Sequence, residues 1–199
     1  MEYEQLTKLI KNVVEITNQK NIMLFGSQVL YSKFKKIENE NILKSYEADF
    51  TLYKYKNRQE LEDFVDLVDG SIGELSLYHN TNGFYAEGVS NFNDSFPKNY
   101  KNRLMNFQYS NNPNDIVQFM NIKDVSIMKL RRMSPKDHAF LEFCIENDLF
   151  KLEDIEEIID NEYNQLWEFS KNELKEKIRI KFDFVLNKNL DLIENEFSI

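Results

Sequence analysis

Leu24-Phe25-Gly26-Ser27 is followed along the chain by Ser45-Tyr46-Glu47-Ala48-Asp49. A Gly-Ser turn that leaves a strand and opens a short helix presents backbone N–H groups suited to a phosphate. Two acids spaced i, i+2 on a strand share a face, because side chains alternate sides. Ser45, Glu47, Asp49 and Thr51 therefore point one way, and Tyr46, Ala48, Phe50 and Leu52 point the other way, into a core. Two carboxylates on one face can share divalent cations, and carboxylates are natural hard ligands for Mg2+. Phosphoryl-type transfer needs that charge neutralisation, with the attacking and leaving oxygens clamped in line. Taken singly, each half is ordinary: Gly ends strands, Ser caps helices, and acid pairs edge many sheets. Their conjunction and order suggest a two-part phosphate and metal site.

Those residues need elements to hold them. Leu6, Leu9, Ile10, Val13, Val14 and Ile16 recur near helical period and predict a first helix over Tyr3 to Asn18. Ile22 to Phe25 is a short apolar strand ending at Gly26, and Ser27 to Phe34 reads as the helix it feeds. A polar connector through Asn41 leads to the acid-bearing strand, Leu43 to Tyr53. Glu60 to Val68 is the next helix, burying Leu61, Phe64, Val65 and Val68. Gly70, Gly73, Gly83 and Gly88 punctuate the stretch after it, with a strand at Phe84 to Val89. Arg103 to Tyr109 and Val117 to Ile122 predict two strands around the turn-forming Ser110-Asn111-Asn112-Pro113-Asn114, hence a hairpin. From Lys123 the texture is helical. Asp124 reads as a cap for a helix containing Val125, Met128 and Leu130, and Ser134-Pro135 opens another running through Asn147. Helices over Glu153 to Ile159 and much of Glu162 to Asn189 complete the chain, which shows no internal repeat.

Composition sets the outer bounds. A 199-residue chain with 42% hydrophobic residues, including 16 Phe and 10 Tyr, has ample material for a packed core, which argues strongly against global disorder. A single cysteine, Cys144, rules out an intramolecular disulfide and a cysteine-based zinc site. It lies in the apolar run Phe140-Leu141-Glu142-Phe143-Cys144-Ile145, where a buried thiol is expected. His79 and His138 stand alone, without metal-ligand spacing, and Trp167 reads as core. A formal charge of −9 disfavours nonspecific adhesion to nucleic acid or anionic membrane. Local basic clusters remain at Lys98, Lys101 and Arg103 and at Lys129, Arg131, Arg132 and Lys136, while acids gather at Glu153 to Glu157. With no long apolar span, and no basic-then-apolar pattern in Met1-Glu2-Tyr3-Glu4-Gln5, the expectation is a soluble, cytoplasmic protein with no membrane partner.

The layout of strand, Gly-Ser turn, helix and Glu-x-Asp strand resembles nucleotidyltransferases of the polymerase-β type. More narrowly, Leu24-Phe25-Gly26-Ser27-Gln28 with Ser45-x-Glu47-x-Asp49 resembles a bacterial domain-of-unknown-function group related to the AbiEii toxin family. Asp69 to Ser76, Gly83 to Val89, Asp124 to Leu130 and the Lys136-Asp137 pair are similar to that group as well, so the likeness spans Ile22 to Leu149. It implies an α+β fold: a nucleotidyltransferase-like mixed sheet flanked by helices over residues 1–122, then a helical region over 123–199 that completes the cleft. It also implies that Gly26 and Ser27 hold a triphosphate, that Glu47 and Asp49 ligate Mg2+, and that Lys129 contacts the nucleotide phosphates. Arg132 pairs with phosphate or with Asp137, and Ser45 orients the acidic strand. A third carboxylate, on an adjacent strand, binds metal or takes the acceptor's proton. Glu87 is the first candidate and Asp69 the second. The wider superfamily has Asp where this chain has Glu47.

Two functions are implied by the resemblance. One is a metal-dependent nucleotidyltransferase moving an NMP from an NTP to RNA (tRNA included), a protein or a small molecule, with toxin-like action and an antitoxin partner as its extension. The other is a catalytically weak or inactive module of the same fold that binds a nucleotide or a partner. A third reading, a structural protein contacting its partner through the helical tail from Glu153, comes from that tail alone. Oligomeric state is open on all three.

Overall fold

A computed structural model of the chain describes residues 1–39, 45–90, 96–165 and 167–187. Its order is α1 (Tyr3–Thr17), β1 (Ile22–Phe25), a 3-10 helix (Gly26–Ser32), β2 (Glu47–Leu52), α2 (Arg58–Ile72), α3 (Leu77–Asn82) and β3 (Tyr85–Gly88). A second 3-10 helix (Tyr100–Arg103), β4 (Met105–Gln108) and β5 (Ile116–Phe119) come next, then α4 (Ile122–Arg132), α5 (Pro135–Glu146), α6 (Leu152–Glu162) and α7 (Lys171–Asn187). The strands form one mixed sheet in the order β3-β2-β1-β5-β4. β1 runs antiparallel to β2 and parallel to β5, β2 runs parallel to β3, and β4 and β5 form the expected antiparallel hairpin. The fold class is α+β.

Burial explains why the acid strand sits inside. Ala48, Phe50 and Leu52 are fully or almost fully buried, as the alternation predicts. Removing a side chain such as Phe50 from water contributes about 2–3 kcal/mol. α2 packs on β2 and β3, and α1 packs on α2 through a stripe of Leu6, Leu9, Ile10 and Val13. Tyr46 is 59% exposed rather than in the core, because it lies before β2 begins. Thr51, expected on the acid face, is fully buried, so that face is covered where the strand nears its end.

Several boundaries shift, each for a local reason. The segment after Gly26 is a tight 3-10 helix rather than a helix reaching Phe34. α2 starts two residues early because Asn57 accepts the Glu60 N–H, and it continues through Gly70. The glycine-punctuated stretch hides α3, capped by the Ser76 side chain and ended by Gly83 in the left-handed region. Arg103 closes a 3-10 helix instead of opening a strand. Asn121, not Asp124, caps α4. The last helical stretch is not one helix: α6 ends at Glu162, α7 begins at Lys171, and the Trp167 backbone N–H donates to the Asn164 carbonyl. The end of the connector at Asn41, the start of the acid strand at Leu43 and the end of the last helix at Asn189 lie outside the described residues.

The helices after Phe119 are stitched to the sheet by buried charge. Asp124 is fully buried and receives Arg103 Nε at 3.1 Å and Nη2 at 2.6 Å, while Arg103 Nη1 also donates to Glu162. Burial raises the Asp124 carboxyl above its ordinary value, against the pull of Arg103. Asn164 Nδ2 donates to the Phe96 carbonyl at 3.0 Å, tying the helical side to the segment before β4. α7 packs on α4, α5 and α6, and Lys181 caps the end of α4 by donating to the Arg131 carbonyl at 2.8 Å. Among the described residues, no helix is long and apolar enough to cross a membrane.

Candidate functional site

Where β1 ends, Gly26 adopts φ +77°, a left-handed conformation that suits glycine. It lies so close to β2 that a Cβ there would overlap Asp49 Oδ2. Phe25 and Asp49 are cross-strand partners, so the Gly-Ser turn leaves the sheet directly beside the second acid. Gln28, buried in the 3-10 helix, donates to the Glu47 carbonyl at 3.3 Å, and Ser45 Oγ donates to the same carbonyl at 3.4 Å. Backbone register and the Gln28 bond position the acid strand against the turn, while the Ser45 bond stays within the acid strand's own segment.

On the other side of β2, Asp49 pairs with Glu87 and Glu47 pairs with Tyr85 across the parallel ladder. Glu47, Asp49 and Glu87 line one cleft of about 540 Å³ with Gly26, Ser27 and Ser45. The opposing wall comes from α4 and α5: Val125, Met128, Lys129, Arg131, Arg132, Lys136 and Phe140. Glu168 and Phe169, from the loop before α7, complete it. Gly26, Ser27, Ser45, Glu47, Asp49, Glu87, Lys129 and Arg132, all expected at the site from sequence, line this cleft, whereas Asp69 and Asp137 do not. Asp69 lies on α2 and accepts the Gly88 N–H at 2.7 Å, which fastens the end of β3.

The electrostatics are those of crowded negative charge beside bound positive charge. Burial, then Glu87 and Glu47, push the Asp49 carboxyl up to about 7, with Lys129 and Arg132 pulling the other way. Glu87 is exposed and is also raised, by desolvation of its carboxyl and then by Glu47, Asp69 and Glu74. A cation at Glu47 and Asp49 would relieve this repulsion, and hard carboxylate oxygens are the donor type Mg2+ takes. The residues present therefore fit a divalent cation held by a carboxylate pair. Among the described residues, no three His, Cys, Asp or Glu side chains are grouped as a metal cage.

The cations are less free than their sequence cluster implies. Lys129 is 6% exposed, its Nζ 2.9 Å from Asp137 Oδ1 and 4.7 Å from the centre of the Phe140 ring. Arg132 grips the same carboxylate in bidentate fashion, Nε to Oδ2 at 2.8 Å and Nη2 to Oδ1 at 2.7 Å. The Ser134 N–H and Oγ donate to Oδ2 at 2.9 and 2.7 Å, making Asp137 part of the capping box of α5. Burial alone would raise Asp137, but Arg132, Lys129 and Ser134 outweigh it and hold the carboxyl well below the usual range. Arg131 lies over Trp167 at 4.8 Å, and Trp167 is buried as expected. Lys136 is more open, with its side chain 81% exposed and its Nζ 3.8 Å from Glu47 Oε1.

Sequence reasoning missed Tyr85, whose hydroxyl donates to Glu47 Oε2 at 3.0 Å. The signal was present, since Tyr85 and Glu87 repeat on β3 the i, i+2 spacing of Glu47 and Asp49. Glu168 and Phe169 carried no such signal, because only the folding of α7 back onto α4 brings them to the cleft. Cys144 is buried and its thiol is pushed up by that burial, the expected behaviour of a packed side chain.

Fold and cleft together define an α+β protein with a mixed five-stranded sheet, whose acid-bearing strands face helix-borne cations. No family model, curated protein or solved structure matches the chain.

Proposed function

We propose that the protein is a metal-dependent nucleotidyltransferase that transfers an NMP unit from an NTP to an acceptor hydroxyl. One observation carries the reading: Glu47, Asp49 and Glu87 share a cleft with the Gly26-Ser27 turn and with Lys129, Arg132 and Lys136. In the reaction, the acceptor oxygen bonds to the α-phosphorus, the bond to the bridging oxygen breaks, and pyrophosphate leaves. Mg2+ bound by Glu47 and Asp49 would supply charge neutralisation at the phosphates. Glu87 takes the acceptor's proton, a role suited to a carboxyl raised above its ordinary value. Ser27 donates to the triphosphate. Arg132 and Lys136 balance its charge, Arg132 by exchanging part of its grip on Asp137 for a phosphate oxygen. Lys129, held in its ion pair, acts through its field.

The acceptor class spans RNA (tRNA included), a protein side chain or a small molecule, and toxin-like action with an antitoxin partner belongs to the same proposal. The test is incubation with each α-labelled NTP, Mg2+, and total RNA or lysate. Label passes to an acceptor with the wild type and is lost with Glu47→Gln and Asp49→Asn. Absence of transfer to any acceptor by folded, NTP-binding protein would refute it.

A second reading, a binding module without turnover, is favoured by the engagement of both Lys129 and Arg132 with Asp137. Calorimetry separates the two. NTP binding indifferent to Glu47→Ala, Asp49→Ala and Mg2+ supports the module and removes the metal site.

A further inference from the structure

The Glu47 carboxylate is held in place from the neighbouring strand. Glu47 and Tyr85 are direct partners in the ladder of β2 and β3, and the phenol donates to Oε2 at 3.0 Å. Tyr85 is buttressed in turn by His79, whose ring centre lies 4.6 Å from its own. His79 is fixed at both ends: Nδ1 accepts the Leu75 N–H at 3.1 Å, and its backbone N–H donates to Ser76 Oγ at 3.1 Å. Leu75 makes that bond from φ +62°, a left-handed conformation rarely adopted by a residue with a bulky side chain. A strained turn, an oriented imidazole and a phenol thus form a chain ending on one carboxylate oxygen.

We infer that Tyr85 is a positioning residue for Glu47, leaving Oε1 for a divalent cation while the phenol occupies Oε2. The inference rests on the proposed metal site at Glu47 and Asp49. Glutamate has one more rotor than aspartate and loses more freedom when its carboxylate is fixed. A hydrogen bond to the charged carboxylate restrains that rotor before any cation arrives. The ion pair at Oε1, to Lys136 at 3.8 Å, joins an exposed side chain and is readily displaced. Partners of this kind set ligand orientation, and losing one typically costs about tenfold or more in metal affinity.

Mn2+ is the probe, titrated by electron paramagnetic resonance into wild type, Tyr85→Phe, Glu47→Gln, Asp49→Asn and the Tyr85→Phe/Glu47→Gln double variant. Tyr85→Phe removes one oxygen and keeps the ring against His79, so the melting curve is expected to stay within a few degrees of wild type. Its Mn2+ affinity falls about tenfold. The double variant binds no more weakly than Glu47→Gln alone, a non-additivity that general loosening of the sheet would not produce. Wild-type affinity in Tyr85→Phe, or full additivity in the double variant, overturns the positioning role and leaves the metal site standing. Wild-type protein that binds no Mn2+, or binding indifferent to both Glu47→Gln and Asp49→Asn, overturns the metal reading and the positioning role with it.

Discussion

Gly26→Ala separates the stability of this fold from the chemistry of its cleft. Alanine at φ +77° costs about 1–2 kcal/mol of backbone strain. The new Cβ would collide with Asp49 Oδ2 and lie 3.4 Å from Asp49 Cγ. Only the outer end of that flexible side chain obstructs it, so the carboxylate swings away by about 1 Å to regain van der Waals separation and the sheet stays intact. For a chain of this size, the strain corresponds to a melting temperature lower by about 2–8 °C. Displacing a reacting or ligating group by about 1 Å costs on the order of 100-fold in a positioned site. On the proposed metal site, calorimetric unfolding and a Mn2+ titration on the same sample should therefore diverge, with a small thermal loss beside a metal affinity weakened by about 100-fold. Retained affinity together with a lowered melting temperature would refute the claim that Gly26 exists to let the turn approach Asp49.

The buried charges at three residues give the further outcomes. Asp137→Asn leaves Lys129 buried without its counter-ion and weakens the cap of α5. It should cost about 3–5 kcal/mol by urea unfolding. Because the Asp137 carboxyl is held low, its contribution is present at neutral pH and fades as pH falls below its ordinary value of 3.8. Wild-type stability should therefore drop in acid more steeply than the variant's. Asp49 has the opposite sign: raised to about 7, its carboxyl costs metal-free stability as pH climbs from its ordinary 3.8 through that value, so Asp49→Asn should melt higher than wild type at pH 8 and show little gain at pH 4. A cation at the proposed site must compete with that proton, so on that proposal Mn2+ affinity in wild type should rise about tenfold between pH 6 and pH 8, which a titration at the two values measures. Arg103→Leu strands Asp124 in the core between the sheet and the helical side and should cost about 3–5 kcal/mol by calorimetry.

How much of this was legible beforehand depends on the range of the interaction. Local pattern determined β1, the stripe of α1, the alternation of Ala48, Phe50 and Leu52, the hairpin and the Ser134-Pro135 start of α5, because period, turn chemistry and capping act within a few residues. The same locality put Glu47 and Asp49 on one face. Tertiary structure decided what stands opposite them. Parallel pairing of β2 with β3 set Glu87 beside Asp49 and Tyr85 beside Glu47, and no local signal fixes that register. It also decided the state of the cations: the Arg132–Asp137 pair is one of two pairings expected from sequence, but Lys129 reads as a phosphate contact and converges on the same carboxylate once α5 packs back against α4. Asp124 and Arg103 likewise look like a helix cap and a strand residue until burial makes each necessary to the other's charge. A charge's role depends on what shares its low-dielectric surroundings, and the packing of distant segments alone creates those surroundings.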